Sequence, residues 1–193
     1  RVSNGAGKDA MIKEFRALND VPVQSSEFNK DKYLLNTDSG IIDLKNGDVK
    51  PFDSKYMQSK STKCKVSYDE PKLWIKFLHD IFYRGEGKEA DTQAIVDCIQ
   101  LCLGYSLCGS TREQIMFLLY GGGSNGKSTF TDVVGKMMGD YGDSIASENL
   151  MQQRTSNNSA IYSIAKLQGC RFLETGETEE GGRFAEAMVK RIT

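Results

Sequence analysis

The residues from Gly121 to Ser128 constrain the fold of this chain more than any other segment. They satisfy the pattern G-x-x-x-x-G-K-[ST] without a mismatch, reading Gly121-Gly122-Gly123-Ser124-Asn125-Gly126-Lys127-Ser128. The apolar run Ile115 to Tyr120 precedes them and suits a central strand buried on both faces, and a helix is predicted from Thr129 to Met138. Strand, loop and helix in this order are the context in which the pattern forms a phosphate-binding loop, or P-loop. A glycine-rich turn with a chance lysine is the alternative, but strand, spacing and helix would all have to coincide.

The chemistry of such a loop explains its residue types. Glycines let backbone N–H groups close around phosphate oxygens, and the N-terminus of the following helix adds a partial positive charge. We expect Lys127 to reach the β- and γ-phosphates of a nucleoside triphosphate and Ser128 to hold Mg²⁺. ATP and Mg²⁺ are therefore the predicted ligands.

A loop of this kind needs an acidic residue, normally at the end of a neighbouring strand, that orders Mg²⁺ and water. Glu177 lies just beyond a predicted strand, Arg171 to Thr175, and is the first candidate. Glu179 is the second, and Glu174 is a weaker third because alternation within the strand could point its side chain elsewhere. The competing interpretation treats this Glu-rich run as a helix N-terminus, where carboxylates favour the helix dipole.

Composition excludes several classes of protein. An apolar fraction of 39% with 26% charged residues is typical of a globular domain, and the longest apolar run is too short to span a bilayer. The five cysteines are odd in number and widely spaced, which favours reduced thiols in a cytoplasm over a disulfide framework. Lys and Arg (25) nearly cancel Asp and Glu (26), so any interaction with DNA must depend on local features.

The segment before residue 110 is predicted to be a small mixed domain. Short apolar or β-branched runs between Tyr33 and Phe52 are separated by Asp38-Ser39-Gly40 and by Asn46-Gly47, which indicates a β-hairpin unit. Asn46-Gly47 favours a tight turn in which both central residues have positive φ. Around Lys63 to Tyr68 we expect a further short extended stretch.

Two helices are predicted after the hairpin unit. Asp69-Glu70-Pro71 is a helix start with Pro71 in the first turn, where a missing N–H carries no cost. The apolar residues after it recur on one helical face: Leu73, Trp74, Phe77, Leu78, Ile81 and Phe82. The second helix is predicted from Ala90 to Leu103 with a stop at Gly104. Its inward positions are Ile95, Ile99, Cys102 and Leu103.

Beyond Ser110 the alternation of strand, loop and helix indicates a parallel α/β domain. After the polar stretch Gly139 to Asn158 we predict a helix from Ser159 to Gln168, the strand Arg171 to Thr175, and a last helix from about Gly182. The predicted organisation is a mixed, largely helical domain with a β-hairpin over residues 1–110 and an α/β domain over residues 111–193.

The cysteines Cys98, Cys102 and Cys108, with His79 upstream, could suggest a zinc site. The chain has no C-x-x-C pair and a single His, and Cys98 and Cys102 lie one helical turn apart on a predicted core face. Buried free thiols are therefore the favoured interpretation.

Aromatic and basic residues of the first domain have a possible role in DNA binding. Trp74, Phe77, Phe82 and Tyr83 could stack on bases, but their helical spacing beside leucines favours a place in the core. Lys60, Lys63 and Lys65 could meet a phosphate backbone, although alternating lysines more often protect an edge strand.

The loop and its neighbour, Ser124-Asn125-Gly126-Lys127-Ser128-Thr129, are similar to the Walker A motif of superfamily 3 helicases, with Asn before the second glycine. More specifically, the chain resembles the helicase part of phage and plasmid primase-helicases, the group related to the poxvirus replicative primase-helicase. Further segments fit that group: Leu35-Asn36 through Gly40-Ile41-Ile42-Asp43-Leu44, Trp74 to Gly104-Tyr105, and Glu177-Thr178-Glu179-Glu180-Gly181 leading to Val189-Lys190-Arg191-Ile192-Thr193. The resemblance covers nearly everything after about residue 28, and the order of its motifs supports it most.

The resemblance implies a helical N-terminal domain before an AAA+-like P-loop ATPase domain that forms a ring, expected to be hexameric, around single-stranded DNA. ATP would bind between neighbouring subunits, with Lys127, Ser128 and Glu177 on one side and an arginine supplied in trans. Hydrolysis would drive translocation and strand separation, and Lys190 would open the segment leading to a DNA-contacting hairpin. A primase, fused or separate, and the cytoplasm of a bacterial host are the implied partner and location.

The resemblance also completes the expected site. The nucleotide-binding residues are Gly121, Gly122, Gly123, Ser124, Asn125, Gly126, Lys127, Ser128 and Thr129. The catalytic residues are Lys127, Glu177 and Glu179, and the Mg²⁺ ligands are Ser128 and Glu177.

Two departures from the family pattern matter. Many superfamily 3 proteins place two adjacent acids in the second motif, whereas Thr178 separates Glu177 from Glu179 here, which leaves open which carboxylate polarises water. The chain also stops before the sensor asparagine and the arginine finger would appear. We therefore expect an incomplete P-loop sheet, and a fragment that binds ATP but hydrolyses it poorly.

Two other functions compete with a helicase. Small-molecule and nucleotide kinases use the same loop, but they usually close an Arg-rich lid over the substrate, and residues 139–170 hold only Arg154. A nucleotide-dependent assembly module, in which ATP only stabilises a ring, is the non-catalytic alternative.

Overall fold

The computed structural model describes residues 5–18, 23–152, 166–176 and 183–193, and within them the fold is mixed α/β. The helices are α1 (Gly5–Ala17), α2 (Lys72–Ile81), α3 (Glu89–Leu107), α4 (Lys127–Met138) and α5 (Glu186–Ile192). The strands are β1 (Leu34–Thr37), β2 (Gly40–Asp43), β3 (Asp48–Lys50), β4 (Gly142–Ile145) and β5 (Phe172–Thr175). None of the described helices combines the length and the apolar character needed to cross a membrane.

The predicted β-hairpin unit is confirmed as a three-stranded antiparallel sheet in the order β1-β2-β3. Leu35 and Ile42 are register partners and therefore share the face that packs on the main core. The second turn differs from the prediction, because only Gly47 has a positive φ (80°), and its N–H donates to the Asp43 carbonyl oxygen at 2.7 Å. The loop between β2 and β3 is longer than two residues, so Asn46 does not need a left-handed conformation.

Both predicted helices of the first 110 residues are present, with different ends. Pro71 is the N-cap of α2 rather than part of its first turn. Leu73, predicted to face inward, is 86% exposed because it lies at the edge of the apolar face in the first turn. The predicted stop at Gly104 is wrong, since α3 continues to Leu107. A helical glycine costs about 1 kcal/mol relative to alanine, and the packing of Leu107 on the core offsets that cost.

The strands β4 and β5 form a parallel pair, with Gly142 opposite Phe172 and Ile145 opposite Thr175. The predicted strand Arg171 to Thr175 is thus confirmed, starting one residue later. No strand was predicted at β4, which lies within the polar stretch Gly139 to Asn158. Its residues are mostly small or polar, so its pairing with β5, and not its composition, makes it a strand.

The apolar run Ile115–Tyr120 is not a strand, and the prediction of a central strand buried on both faces is wrong for this structure. All six side chains are exposed, from 39% for Leu119 to 88% for Tyr120. A central strand needs a hydrogen-bonded neighbour on each side. Among the described residues the parallel sheet has two members, β4 and β5, which pair with each other.

The helix after the glycine-rich loop has a narrower buried face than predicted. Phe130, Val134 and Met138 are buried at intervals of four residues. Val133 and Met137, also predicted to be buried, are 44% and 38% exposed. A single row of residues on α4 therefore contacts the core.

One hydrophobic core joins residues on both sides of position 110. Its buried members are Leu35, Leu78, Val96, Phe130, Val134, Met138 and Tyr141. Trp74 of α2 stacks on Phe130 of α4, with ring centroids 5.5 Å apart. The domain boundary near residue 110 stays a prediction, and the packing of side chains crosses it.

Arg171 connects three parts of the structure. Its guanidinium donates to the carbonyl oxygens of Leu107 at 2.6 Å and Leu34 at 2.7 Å, and lies 4.5 Å from the centre of the Tyr141 ring. Burial lowers the pKa of Arg171 from its ordinary value, but a guanidinium remains charged. The residue before β5 is thereby fixed to β1, to the C-terminus of α3 and to the core.

Two of the predicted helices lie partly outside the residues that the structure describes. Residues 159–165 of the helix predicted from Ser159 to Gln168 lie outside the described part, and its end is a turn before Gly169, which has φ 74°. The last helix, α5, begins at Glu186, and its predicted start near Gly182 lies outside the described residues.

Candidate functional site

The glycine-rich loop, Gly121–Ser128, connects the exposed run Ile115–Tyr120 to α4. Gly126 is the N-cap of α4 and Lys127 is its first residue. The loop contains three positive φ angles, 153° at Gly121, 60° at Ser124 and 82° at Gly126. Two of these fall on the two glycines that the pattern fixes, where a left-handed conformation carries no steric cost.

A Cβ would also meet close neighbours at the two fixed positions. A Cβ on Gly121 would collide with the side-chain amide of Asn125, and a Cβ on Gly126 would lie 2.7 Å from Cγ2 of Ile81. At Gly122 and Gly123, which the pattern leaves variable, a Cβ would meet nothing within 4 Å. The structure therefore gives a local reason for glycine at the two positions that the pattern fixes, Gly121 and Gly126.

The Lys127 ammonium lies within its own loop. Its Nζ donates to the Gly121 carbonyl oxygen and to Asn125 Oδ1, both at 2.9 Å. Both acceptors are neutral oxygens, so they orient the ammonium without neutralising its charge. The half-buried lysine is thus held at the N-terminus of a helix of twelve residues.

Exposed backbone donors lie beside this lysine. Gly122, Gly123 and Ser124 are exposed, and within the described part of the chain no hydrogen bond uses their N–H groups. Donors of this kind, together with the partial positive charge of a helix N-terminus, can bind an anion such as phosphate. Ser128 and Thr129 follow in the first turn of α4, and both are exposed.

The predicted acidic residues are only partly described. Glu177 and Glu179 lie outside the described residues. Glu174 is half-buried in β5, where it pairs with Ser144. β5 packs against α4, so the strand that leads to Glu177 and the helix that begins with Lys127 lie side by side.

Two of the three lysines that could meet a phosphate backbone contact other residues of the chain. Lys60 Nζ donates to the Asp140 carbonyl oxygen at 2.9 Å, and Lys63 Nζ is 2.7 Å from Asp140 Oδ1. Lys65 is exposed. The segment forms no strand in the structure, and Lys60 and Lys63 contact the turn that follows α4 instead.

The aromatic residues of α2 and of the two positions after it mostly belong to the core, as the sequence favours. Trp74, Phe77 and Phe82 pack against it, whereas Tyr83 is 58% exposed. The helical spacing of Phe77 and Ile81 predicts a place in the core, but both residues also lie against Gly126 of the glycine-rich loop. Their spacing of four residues predicts a shared helical face but does not indicate what that face contacts.

The cysteines are less buried than expected. Cys98 is exposed and Cys102 and Cys108 are half-buried. Burial and the neighbouring Cys98 raise the pKa of the Cys102 thiol. Within the described ranges no group of three or more His, Cys, Asp or Glu side chains is placed to hold a metal ion.

A surface groove of about 850 Å³ lies between the end of α2 and the start of α3. It is lined by His79, Asp80, Tyr83, Glu89, Ala90, Thr92 and Gln93. None of these belongs to the glycine-rich loop, so the groove and the loop are separate features.

Comparison with known proteins connects this architecture to helicases. The family model described as "D5 N terminal like", a domain found in primase-helicase proteins, matches residues 1–83. The chain is also 22% identical over 194 residues to "Putative helicase L207/L206" of Acanthamoeba polyphaga mimivirus, a match that covers 100% of this chain. The chain spans about a fifth (20%) of the length of that viral relative. The two matches support a helicase-related family.

Proposed function

We propose that this chain is part of a superfamily 3 DNA helicase of a phage or plasmid replication protein, which couples ATP hydrolysis to translocation on single-stranded DNA and duplex unwinding. The observation that carries the proposal is the glycine-rich loop, whose lysine ammonium lies at the N-terminus of α4 beside exposed backbone N–H groups. This arrangement suits phosphate oxygens. The helicase-related matches favour a helicase over other proteins with such a loop.

In the proposed site, the phosphates of ATP lie against residues 121–129. Lys127 exchanges the Gly121 carbonyl oxygen and the Asn125 amide oxygen for oxygens of the β- and γ-phosphates. Hydrogen bonds between charged groups are stronger than those to neutral oxygens, so phosphate competes well for the ammonium. The lysine then stabilises the negative charge that shifts toward the leaving phosphate during hydrolysis.

We propose that Ser128 and Glu177 would hold Mg²⁺ beside this loop. The exposed Ser128 hydroxyl follows Lys127 in the first turn of α4, and β5, which packs against α4, leads to Glu177. Hydroxyl and carboxylate oxygens are ligands that Mg²⁺ prefers. When bound, the ion would supply positive charge that offsets the charge of the phosphates. Glu177 or Glu179 orients the attacking water and accepts its proton.

The proposed assembly is a ring, with six subunits as the expected number, around single-stranded DNA in the cytoplasm of a bacterial host. Each nucleotide lies between neighbouring subunits, one contributing Lys127, Ser128 and Glu177 and the other an arginine. A primase, fused or separate, is the proposed functional partner.

The first experiment is ATP hydrolysis by the full-length protein with and without single-stranded DNA. We expect DNA to stimulate turnover, and Lys127→Ala to reduce turnover at least about a hundredfold because it removes a charged donor from the transferring phosphate. Lys136→Ala is the matched control, since it removes the same charge from an exposed position of the same helix.

The outcomes separate the proposed function from its alternatives. Lys127-dependent turnover that ignores DNA but requires a small phosphate acceptor would indicate a kinase. Lys127-dependent ring formation without turnover would indicate an assembly module. Equal turnover in the Lys127→Ala and wild-type proteins would refute a nucleotide site at this loop.

A further inference from the structure

The apolar face of α2 lies directly against the glycine-rich loop. Ile81 Cγ2 would be 2.7 Å, and Phe77 Cε2 3.4 Å, from a Cβ placed on Gly126. Trp74, one turn before Phe77 on α2, stacks on Phe130 of α4. The N–H of Phe130 donates to the Gly126 carbonyl oxygen at 2.9 Å. Contacts thus run along both helices, from the loop into the core.

The geometry points to Ile81, supported by Phe77, as a positioning residue for the glycine-rich loop. The methyl group Cγ2 occupies the space beside Gly126 and holds this N-cap residue at φ 82°, from which Lys127 begins the helix. A loop that is fixed before the nucleotide arrives loses less conformational entropy on binding. Ile81 therefore sets the affinity for ATP without touching it, an inference that rests on the proposed function.

The contact also gives α2 a means of influencing the site. α2 lies inside residues 1–83, the part that the family model matches, whereas the loop lies outside it. A displacement of α2 along its axis would move Ile81 away from Gly126 and leave the loop unsupported. The N-terminal part of the chain then determines how well the loop binds phosphate.

Three variants of the full-length protein test the inference. Ile81→Ala removes Cγ2, Ile81→Val keeps a methyl group at that position, and Ile99→Ala is the matched control. Ile99 is also an isoleucine that packs half-buried against the same core, on α3. The readouts are the dissociation constant of a fluorescent ATP analogue and the thermal midpoint of unfolding.

We expect Ile81→Ala to raise the dissociation constant about fivefold to tenfold, because small displacements of a binding group are costly. Ile81→Val should bind within about twofold of wild type, and Ile99→Ala should lower the thermal midpoint as much as Ile81→Ala while leaving affinity unchanged. Equal affinities of Ile81→Ala and Ile99→Ala would overturn the inference.

Hydrogen exchange separates failure of this inference from failure of the proposed function. Without nucleotide, Ile81→Ala should increase exchange in a peptide covering the start of α4, including the Phe130 amide, more than Ile99→Ala does. If wild type binds no ATP, the proposed function fails, and the exchange data still test the contact. Unchanged exchange in Ile81→Ala would show that Ile81 does not hold the loop.

Discussion

At the scale of single residues, Arg171 should be among the most sensitive positions for stability. We expect Arg171→Met to lower the free energy of unfolding by about 2–4 kcal/mol, because it leaves the carbonyl oxygens of Leu34 and Leu107 without their donor. Urea denaturation measures the change. Arg112→Met is the control, since the Arg112 side chain is 82% exposed. Its replacement should change the free energy of unfolding by less than about 0.5 kcal/mol. A similar loss in both variants would contradict the prediction.

The structural roles of single residues differ in how far the sequence predicts them. The fixed glycines of the loop follow from the motif, and the structure supplies their steric cause at Gly121 and Gly126. The sequence predicts only a strand for Arg171, because nothing in a sequence shows which backbone carbonyl oxygens a side chain will contact. The contact of Ile81 with Gly126 was missed for the same reason, since helical spacing specifies a face but not its neighbour.

At the scale of elements, prediction succeeded where a local pattern decides the structure. α2 has a strong apolar stripe, and the antiparallel sheet is bounded by turn residues, so both were recognised. β4 was missed because Gly142-Asp143-Ser144 carries no strand signal and depends on pairing with β5. The strand predicted at Ile115–Tyr120 failed for the opposite reason, because a strong strand composition lacks neighbours among the described residues.

The exposed run Ile115–Tyr120 predicts self-association of the 193-residue chain. It holds six consecutive apolar or aromatic residues without charge or proline, which is a composition typical of strand pairing between molecules. We expect Leu118→Lys to weaken association about tenfold or more, since burying a leucine is worth roughly 1.5–3 kcal/mol. Sedimentation velocity over a concentration series measures this. Leu101→Lys is the control, because Leu101 is similarly exposed but lies apart on α3. If Leu118→Lys and Leu101→Lys associate equally strongly, the run Ile115–Tyr120 is not the surface through which the chain associates.

At the scale of the whole molecule, the shared core predicts cooperative unfolding of α2, α3 and α4. Trp74 is the only tryptophan, and it stacks between helices on either side of residue 110. Its fluorescence therefore reports their separation, whereas far-UV circular dichroism reports helix content. We expect the two signals to change at the same urea concentration, as in a two-state transition. Loss of the fluorescence signal at a lower concentration would show that the halves separate before they unfold.

The core around α2 extends beyond the residues that the family model matches. The matched segment ends at residue 83, shortly after α2, yet the core that contains Leu78 also takes members from α3 and α4, and Trp74 stacks on Phe130 of α4. Cut at that point, the segment would present its largest apolar side chains to water. The last residue that the family model matches is therefore not the edge of a packed unit, because helices that follow it complete the core around α2.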